Sequence, residues 1–184
     1  MTLAQSYDAL ARMLDYPGKK EIIETDCESL RGFMSERGLA CPIAPFAGFI
    51  ASSTLAALQE QYVATFDFNP ALAPYLGHHL YGDNQKKGGY MIKLKQEYVR
   101  YGFSPLAKEL PDHLPLVLGF LAHLAQQQRD TVRQNFISDC VLPGVERLLT
   151  GFTGRHNSPW EAVVEAARSL CAADNQTGKE EKPC

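Results

Sequence analysis

The groups of this chain that could do chemistry are five histidines, five cysteines and one close set of carboxylates. His78 and His79 are adjacent, and Glu109, Asp112 and His113 fall within the stretch ELPDH. Metal binding is the first chemistry to test. Neighbouring histidines on a helix point about 100° apart, so they do not chelate one ion without partners from elsewhere. The His-Glu-x-x-His zinc motif is absent, and so is Cys-x-x-Cys. His113 and His123 share roughly one helix face but stand almost three turns apart. Spacing therefore favours structural or partner-contact roles over a metal site. Nucleophilic catalysis has no local signature either, because there is no Gly-x-Ser-x-Gly elbow. The stretch from Gly82 to Gly89, with Lys86 and Lys87, resembles a phosphate loop in composition. It lacks the Walker spacing and follows a helical pattern rather than a strand, so a solvated helix start is the better reading.

Recognition is left as the stronger use of these residues. Between Tyr62 and Leu121 aromatics, histidines, prolines and charges are unusually dense. Tyr62, Phe66 and Phe68 have the spacing of a buried helical stripe. Tyr75, Tyr81, Tyr90, Tyr98 and Tyr101 combine an apolar body with a polar tip, which suits a groove that holds a peptide. In ELPDH, Asp112 has a simple reading as a carboxylate at the positive end of the helix that follows. That reading leaves Glu109 and His113 unexplained. Two carboxylates and an imidazole at one helix start would receive a cationic segment well.

The elements that must position these groups are helices. Leu3, Tyr7, Leu10 and Leu14 share one face, and Tyr16-Pro17-Gly18 ends that helix. Ile23, Cys27, Leu30 and Met34 form a second stripe. Residues 39–53, with Pro42, Pro45 and Gly48, read as a connection with short helical pieces at most. Leu55, Leu58, Tyr62 and Phe66 mark another helix, with Ser53 or Thr54 as its cap. A short helix over 74–81 and a turn at Gly82-Asp83-Asn84 follow. A helix through Met91, Leu94, Tyr98 and Tyr101 then ends at Gly102. Residues 103–111 read as a loop, and Leu114, Val117, Leu121 and Leu124 as an apolar central helix. Residues 132–152 are helical on both sides of Pro143, which must kink or split them. Ser158-Pro159-Trp160-Glu161 has the pattern of a capped helix start. No sustained apolar/polar alternation marks a strand. The expectation is a single-domain all-α bundle of about seven to nine helices over residues 1–172, with a disordered polar tail over 173–184.

Composition narrows the class further. The 184 residues are 45% hydrophobic and 21% charged, with a net charge of −3. That is a globular composition with no dense basic block for nucleic acid. No apolar run is long enough to span a bilayer, and the N-terminus lacks a signal pattern. Five scattered cysteines fit reduced thiols in a cytoplasm, and Cys184 is placed to cross-link chains after purification.

Four stretches together carry a resemblance: YVATFDF at Tyr62 to Phe68, HHLYGD at His78 to Asp83, the Lys93-Leu94-Lys95 helix, and ELPDHLPLVLGFL at Glu109 to Leu121. In order and spacing they resemble the nitrate reductase branch of the TorD/DmsD/NarJ family, the dedicated assembly chaperones of molybdenum oxidoreductases. The resemblance implies an all-helical, non-enzymatic, system-specific chaperone of the cytoplasm, a monomer or weak dimer. It implies binding of the N-terminal, twin-arginine-like segment of the catalytic (alpha) subunit of nitrate reductase. Binding would hold the apoenzyme until bis-molybdopterin guanine dinucleotide is inserted, before membrane docking, with no cofactor kept by the chaperone. The family's Glu-x-x-Asp-His element falls on Glu109, Asp112 and His113. The HHLYGD element falls on His78, His79, Tyr81 and Asp83. These seven residues are the expected peptide-binding set. The alternatives are a sister chaperone of another molybdoenzyme, or an enzyme handling a nucleotide-like ligand through Lys86, Lys87 and the histidines.

Overall fold

In the computed structural model the chain is described over residues 1–104, 109–153 and 158–180, with side chains through residue 176 at the C-terminal end. These residues form ten α-helices and no strand. They are α1 (Leu3–Met13), α2 (Lys20–Glu36), α3 (Ala44–Ser52), α4 (Leu55–Phe66), α5 (Leu76–Tyr81), α6 (Lys86–Arg100), α7 (Leu114–Gln126), α8 (Asp130–Phe136), α9 (Leu142–Phe152) and α10 (Pro159–Glu180). A π-helical stretch, Ile137–Val141, joins α8 to α9, so these two form one continuous rod. The all-helical expectation holds.

Local sequence sets several of the boundaries. Thr2 and Gln5 form a reciprocal capping box on α1. Thr54 accepts a hydrogen bond from the Ala57 N–H and so starts α4, as its position suggests. Pro45 lies in the first turn of α3, where its missing N–H costs nothing. The prolines of 39–53 therefore start a helix in a segment expected to be mainly connection. Pro143 acts as expected but through a specific device. Proline cannot accept the regular α-helical register, because its ring clashes with the carbonyl four residues back. The wider π turn resolves this: the Leu142 N–H reaches back to the Ile137 carbonyl, and α9 restarts with Pro143 in its first turn.

The core is one cluster centred on α7. Leu114, Val117, Leu118, Phe120, Leu121, Ala122 and Leu124 are all buried, so this helix is enclosed on nearly every side. It packs lengthwise on α1. Trp160 of α10 is fully buried among Phe46, Tyr62 and Phe66, and its indole N–H donates to the Met13 carbonyl at 3.0 Å.

From residue 173 to Glu180 the chain is helical, not the disordered tail expected. The helix α10 runs on to Glu180, and Asp174 is buried against Arg133 at 2.7 and 2.8 Å. The Tyr7 hydroxyl donates to the same carboxylate at 2.7 Å. The segment lacks apolar anchors, but it carries a polar one. A buried guanidinium and phenol hold it in place, and such a pair is costly to break. The remainder of that tail, 181–184 with Cys184, lies outside the described residues, as does 105–108 of the expected loop.

Candidate functional site

The two sequence elements expected to form the site meet at one joint. Tyr75 and His113 pair as an isolated antiparallel bridge. The Leu76 N–H donates to the Asp112 carbonyl at 3.0 Å, and the Leu114 N–H donates to the Pro74 carbonyl at 2.8 Å. The start of α5 is thus stitched to the start of α7. Glu109, Asp112, His113 and the HHLYGD helix are neighbours by backbone bonding, not two walls facing across a gap.

Asp112 is fully buried at this joint. It does not cap α7, its own helix, as its sequence position suggests. Its Oδ2 accepts the Gly77 N–H at 3.0 Å and so caps the first turn of α5. Space explains the glycine: a Cβ at residue 77 would lie 2.8 Å from that oxygen. Among the described residues Asp112 Oδ1 has no hydrogen-bond partner. Burial pushes the carboxyl up, and the Gly77 N–H opposes this only in part. A neutral acid tolerates an unpartnered oxygen better than a charged one does. Asp112 is therefore a buried strut of the joint.

His113 is also buried, and burial lowers its imidazole below the usual range. Its ring lies 5.1 Å from that of Tyr75. The Tyr75 hydroxyl donates to exposed Glu109 at 3.1 Å. His79 sits 2.7 Å from the Ala73 carbonyl, and burial lowers its imidazole too. His78 lies ring to ring with His79 at 5.3 Å. Arg147 of α9 donates to the carbonyls of His79 and Leu80 and so holds the end of α5. Tyr81 packs on Tyr90, while Asp83 is exposed in the turn before α6. Two tyrosines expected in a groove are core residues instead. Tyr90 and Tyr98 are buried, with hydroxyls donated to the Cys140 carbonyl at 2.7 Å and the Pro111 carbonyl at 2.6 Å.

A cleft of about 210 Å3 opens beside the joint, lined by Ala11, Arg12, Asp15, Glu109, His113, Pro115 and Leu116. Beyond the seven expected residues the neighbourhood brings in Asp15 and Tyr16, which lie outside the motifs, and Asp67 and Phe68 of the YVATFDF stretch. The Tyr62 hydroxyl, raised chiefly by burial, donates to the Leu14 carbonyl at 3.3 Å beside Asp15, and its ring packs at 4.9 Å on Phe66, which Asp67 follows. Tyr16 meets the same ring edge-on at 5.7 Å. Phe68 and Leu110 stand next to Asp67 and Glu109 and are exposed. A sequence signal for these residues exists. Asp15-Tyr16 and Asp67-Phe68 each place an acid and an aromatic just past a helix C-terminus. Negative charge is unfavourable at that end of a helix, so it points to a use other than helix stability. A larger cleft of about 650 Å3, between α3 and α10, is mostly apolar and gathers none of the expected residues. Among the described residues no group of His, Cys, Asp and Glu side chains is placed to hold a metal ion.

A small cleft with Asp15 and Glu109 in its lining, carried on a helical bundle, is the geometry of a candidate binding module. The fold is shared with a crystallised Archaeoglobus fulgidus protein described as a candidate redox enzyme maturation protein. That match has a TM-score of 0.55 over 97% of this chain and 95% of that one, at 15% identity. More particularly, the family model described as "Nitrate reductase delta subunit" matches residues 35–165, and this chain belongs to that family. A Bacillus subtilis (strain 168) protein named "Probable nitrate reductase molybdenum cofactor assembly chaperone NarJ" is 32% identical over 135 residues, covering 73% of each chain. The Escherichia coli (strain K12) "Nitrate reductase molybdenum cofactor assembly chaperone NarJ" is 39% identical over 70 residues, which is 38% of this chain and 30% of that protein. The relatives so named are assembly chaperones, not enzymes.

Proposed function

We propose that this protein is a system-specific chaperone for a respiratory nitrate reductase. It binds the N-terminal segment of the apo catalytic subunit in the cytoplasm and supports insertion of the molybdenum cofactor, bis-molybdopterin guanine dinucleotide, before the subunit docks at the membrane. Family membership and the names of the relatives support the client. The observation that carries the binding mode is the acidic, aromatic rim of Asp15, Tyr16, Asp67, Phe68, Glu109 and Leu110 beside the joint. A basic amphipathic helix is its complement: apolar side chains cover Tyr16, Phe68 and Leu110, and cationic ones meet the three carboxylates. No described helix is long and apolar enough to cross a membrane.

Calorimetry with a synthetic leader peptide of the catalytic subunit tests the reading, and heat with one-to-one stoichiometry is expected. Neutralising the rim with Asp15→Asn, Asp67→Asn and Glu109→Gln should weaken binding by about tenfold at low salt, since each exposed pair contributes up to about 1 kcal/mol. Absence of any complex at submillimolar peptide would overturn the reading. Unchanged affinity of the neutralised protein would overturn its electrostatic part.

A further inference from the structure

The exposed large apolar residues of this chain fall mainly on two surfaces of opposite charge. One is the rim just described, where Tyr16, Phe68 and Leu110 are 52%, 82% and 49% exposed among Asp15, Asp67 and Glu109. The other is the outer face of α6. Ile92 and Val99 are 59% and 80% exposed there, and they stand two turns apart on one stripe. Exposed Lys93 and Arg100 flank that stripe on one side and exposed Lys95 on the other, with Lys86 at the helix start. Lys93 and Arg100 have surface partners in Asp139 at 3.6 Å and Glu97 at 3.7 Å, while Lys86 and Lys95 have no such ion pair described. The same stripe begins at Gly88 and Gly89. Two glycines in one helix weaken it by about 1 kcal/mol each. Packing does not require them, because a Cβ at either would meet nothing within 4 Å. They leave the N-terminal half of α6 bare, so that another chain can approach its backbone.

We infer that α6 of one copy docks into the acidic rim of a second copy, a weak head-to-tail self-association that occupies the client's site. The two surfaces are complementary within one sequence. The helix α6 is basic and amphipathic, and the rim has the chemistry to take such a helix. The surfaces differ, so the pairing is heterologous and leaves one free α6 and one free rim on every pair. One helix face in a shallow cleft buries less than the roughly 1,200 Å2 of a standard interface, so the contact is weak and yields to a better-fitting peptide. The inference rests on the proposed function in taking the rim as a seat for a basic amphipathic helix and in naming the client as the competitor.

Sedimentation of the full chain from micromolar to submillimolar concentration, at low and high salt, tests it. Association at low salt that salt dissolves is the expected result. Lys95→Glu with Val99→Asp alters only exposed α6 positions, and Asp67→Lys with Glu109→Lys alters only exposed rim positions. Each variant alone should remain monomeric. A mixture of the two should form pairs and stop there, because each retains one intact surface. The leader peptide should dissolve wild-type assemblies while leaving the α6 variant's peptide affinity within about twofold of wild type. A wild-type chain monomeric throughout, association that survives the α6 substitutions, or a mixture that fails to pair would each overturn the inference. The two readings fail separately. Peptide binding by a strictly monomeric chain leaves the chaperone standing without self-association, and self-association without peptide binding does the reverse.

Discussion

Asp112 shows what single residues do at the joint. Its neighbourhood was legible in sequence, because ELPDH and HHLYGD do come together. Its role was not, because cap partners separated by 35 residues in sequence leave no local pattern. Burial is likewise a property of the fold, and it turns a carboxylate that looks like a docking charge into an internal strut. Asp112→Ala would leave the Gly77 N–H unpaired and cost about 1–3 kcal/mol of stability. Asp112→Asn keeps an oxygen for that N–H and should cost less than about 1 kcal/mol. Urea unfolding of the two variants checks this, and equal losses would mean that the charge itself matters. The rim residues were missed for a different reason. Asp15-Tyr16 lie far from the dense motifs and Asp67-Phe68 at the end of one, and the link between the two pairs, Tyr62 on Tyr16 and on the Leu14 carbonyl, is made only in the fold.

Among the elements, helix spacing and breakers foretold most of the order of the bundle, and the two differences have simple causes. Proline at 45 starts a helix instead of excluding one, since the first turn needs no N–H from it. The C-terminal end of α10 is held by Asp174 on Arg133, a polar anchor that apolar periodicity cannot register. The α8–α9 rod shows the reverse case, where a sequence signal was right about Pro143 and the fold supplies the means. Its π turn is braced from α6 by the Tyr90 hydroxyl on the Cys140 carbonyl. Tyr90→Phe should therefore cost about 1 kcal/mol, with the loss of one buried hydrogen bond. Amide exchange of the 137–143 segment should rise in that variant more than exchange in α1. A uniform rise would argue that the brace is not local.

At the scale of the molecule, stability should follow pH through two buried histidines. Burial lowers the folded values of His79 and His113 below the ordinary one near 6.5. Their contribution is therefore complete above that value and is lost as pH falls through the lower folded ones. Asp112 acts oppositely: its raised value favours the fold at low pH, and that advantage fades as pH rises through the folded value. Thermal stability should therefore fall as pH drops from about 7 to 5, and His113→Gln should flatten that slope. A slope unchanged in the variant would place the effect elsewhere. The stitch between Tyr75 and His113 also bears on how such a chain can evolve. It closes the excursion from residue 76 to 112 at its base, so the segment carrying α5 and α6 leaves and rejoins the bundle at one point. Its base carries a matched pair, since the oxygen of Asp112 fills the volume that a side chain at Gly77 would need. The constraint runs one way: a side chain at residue 77 requires a change at Asp112, whereas Asp112 can be replaced while Gly77 stays.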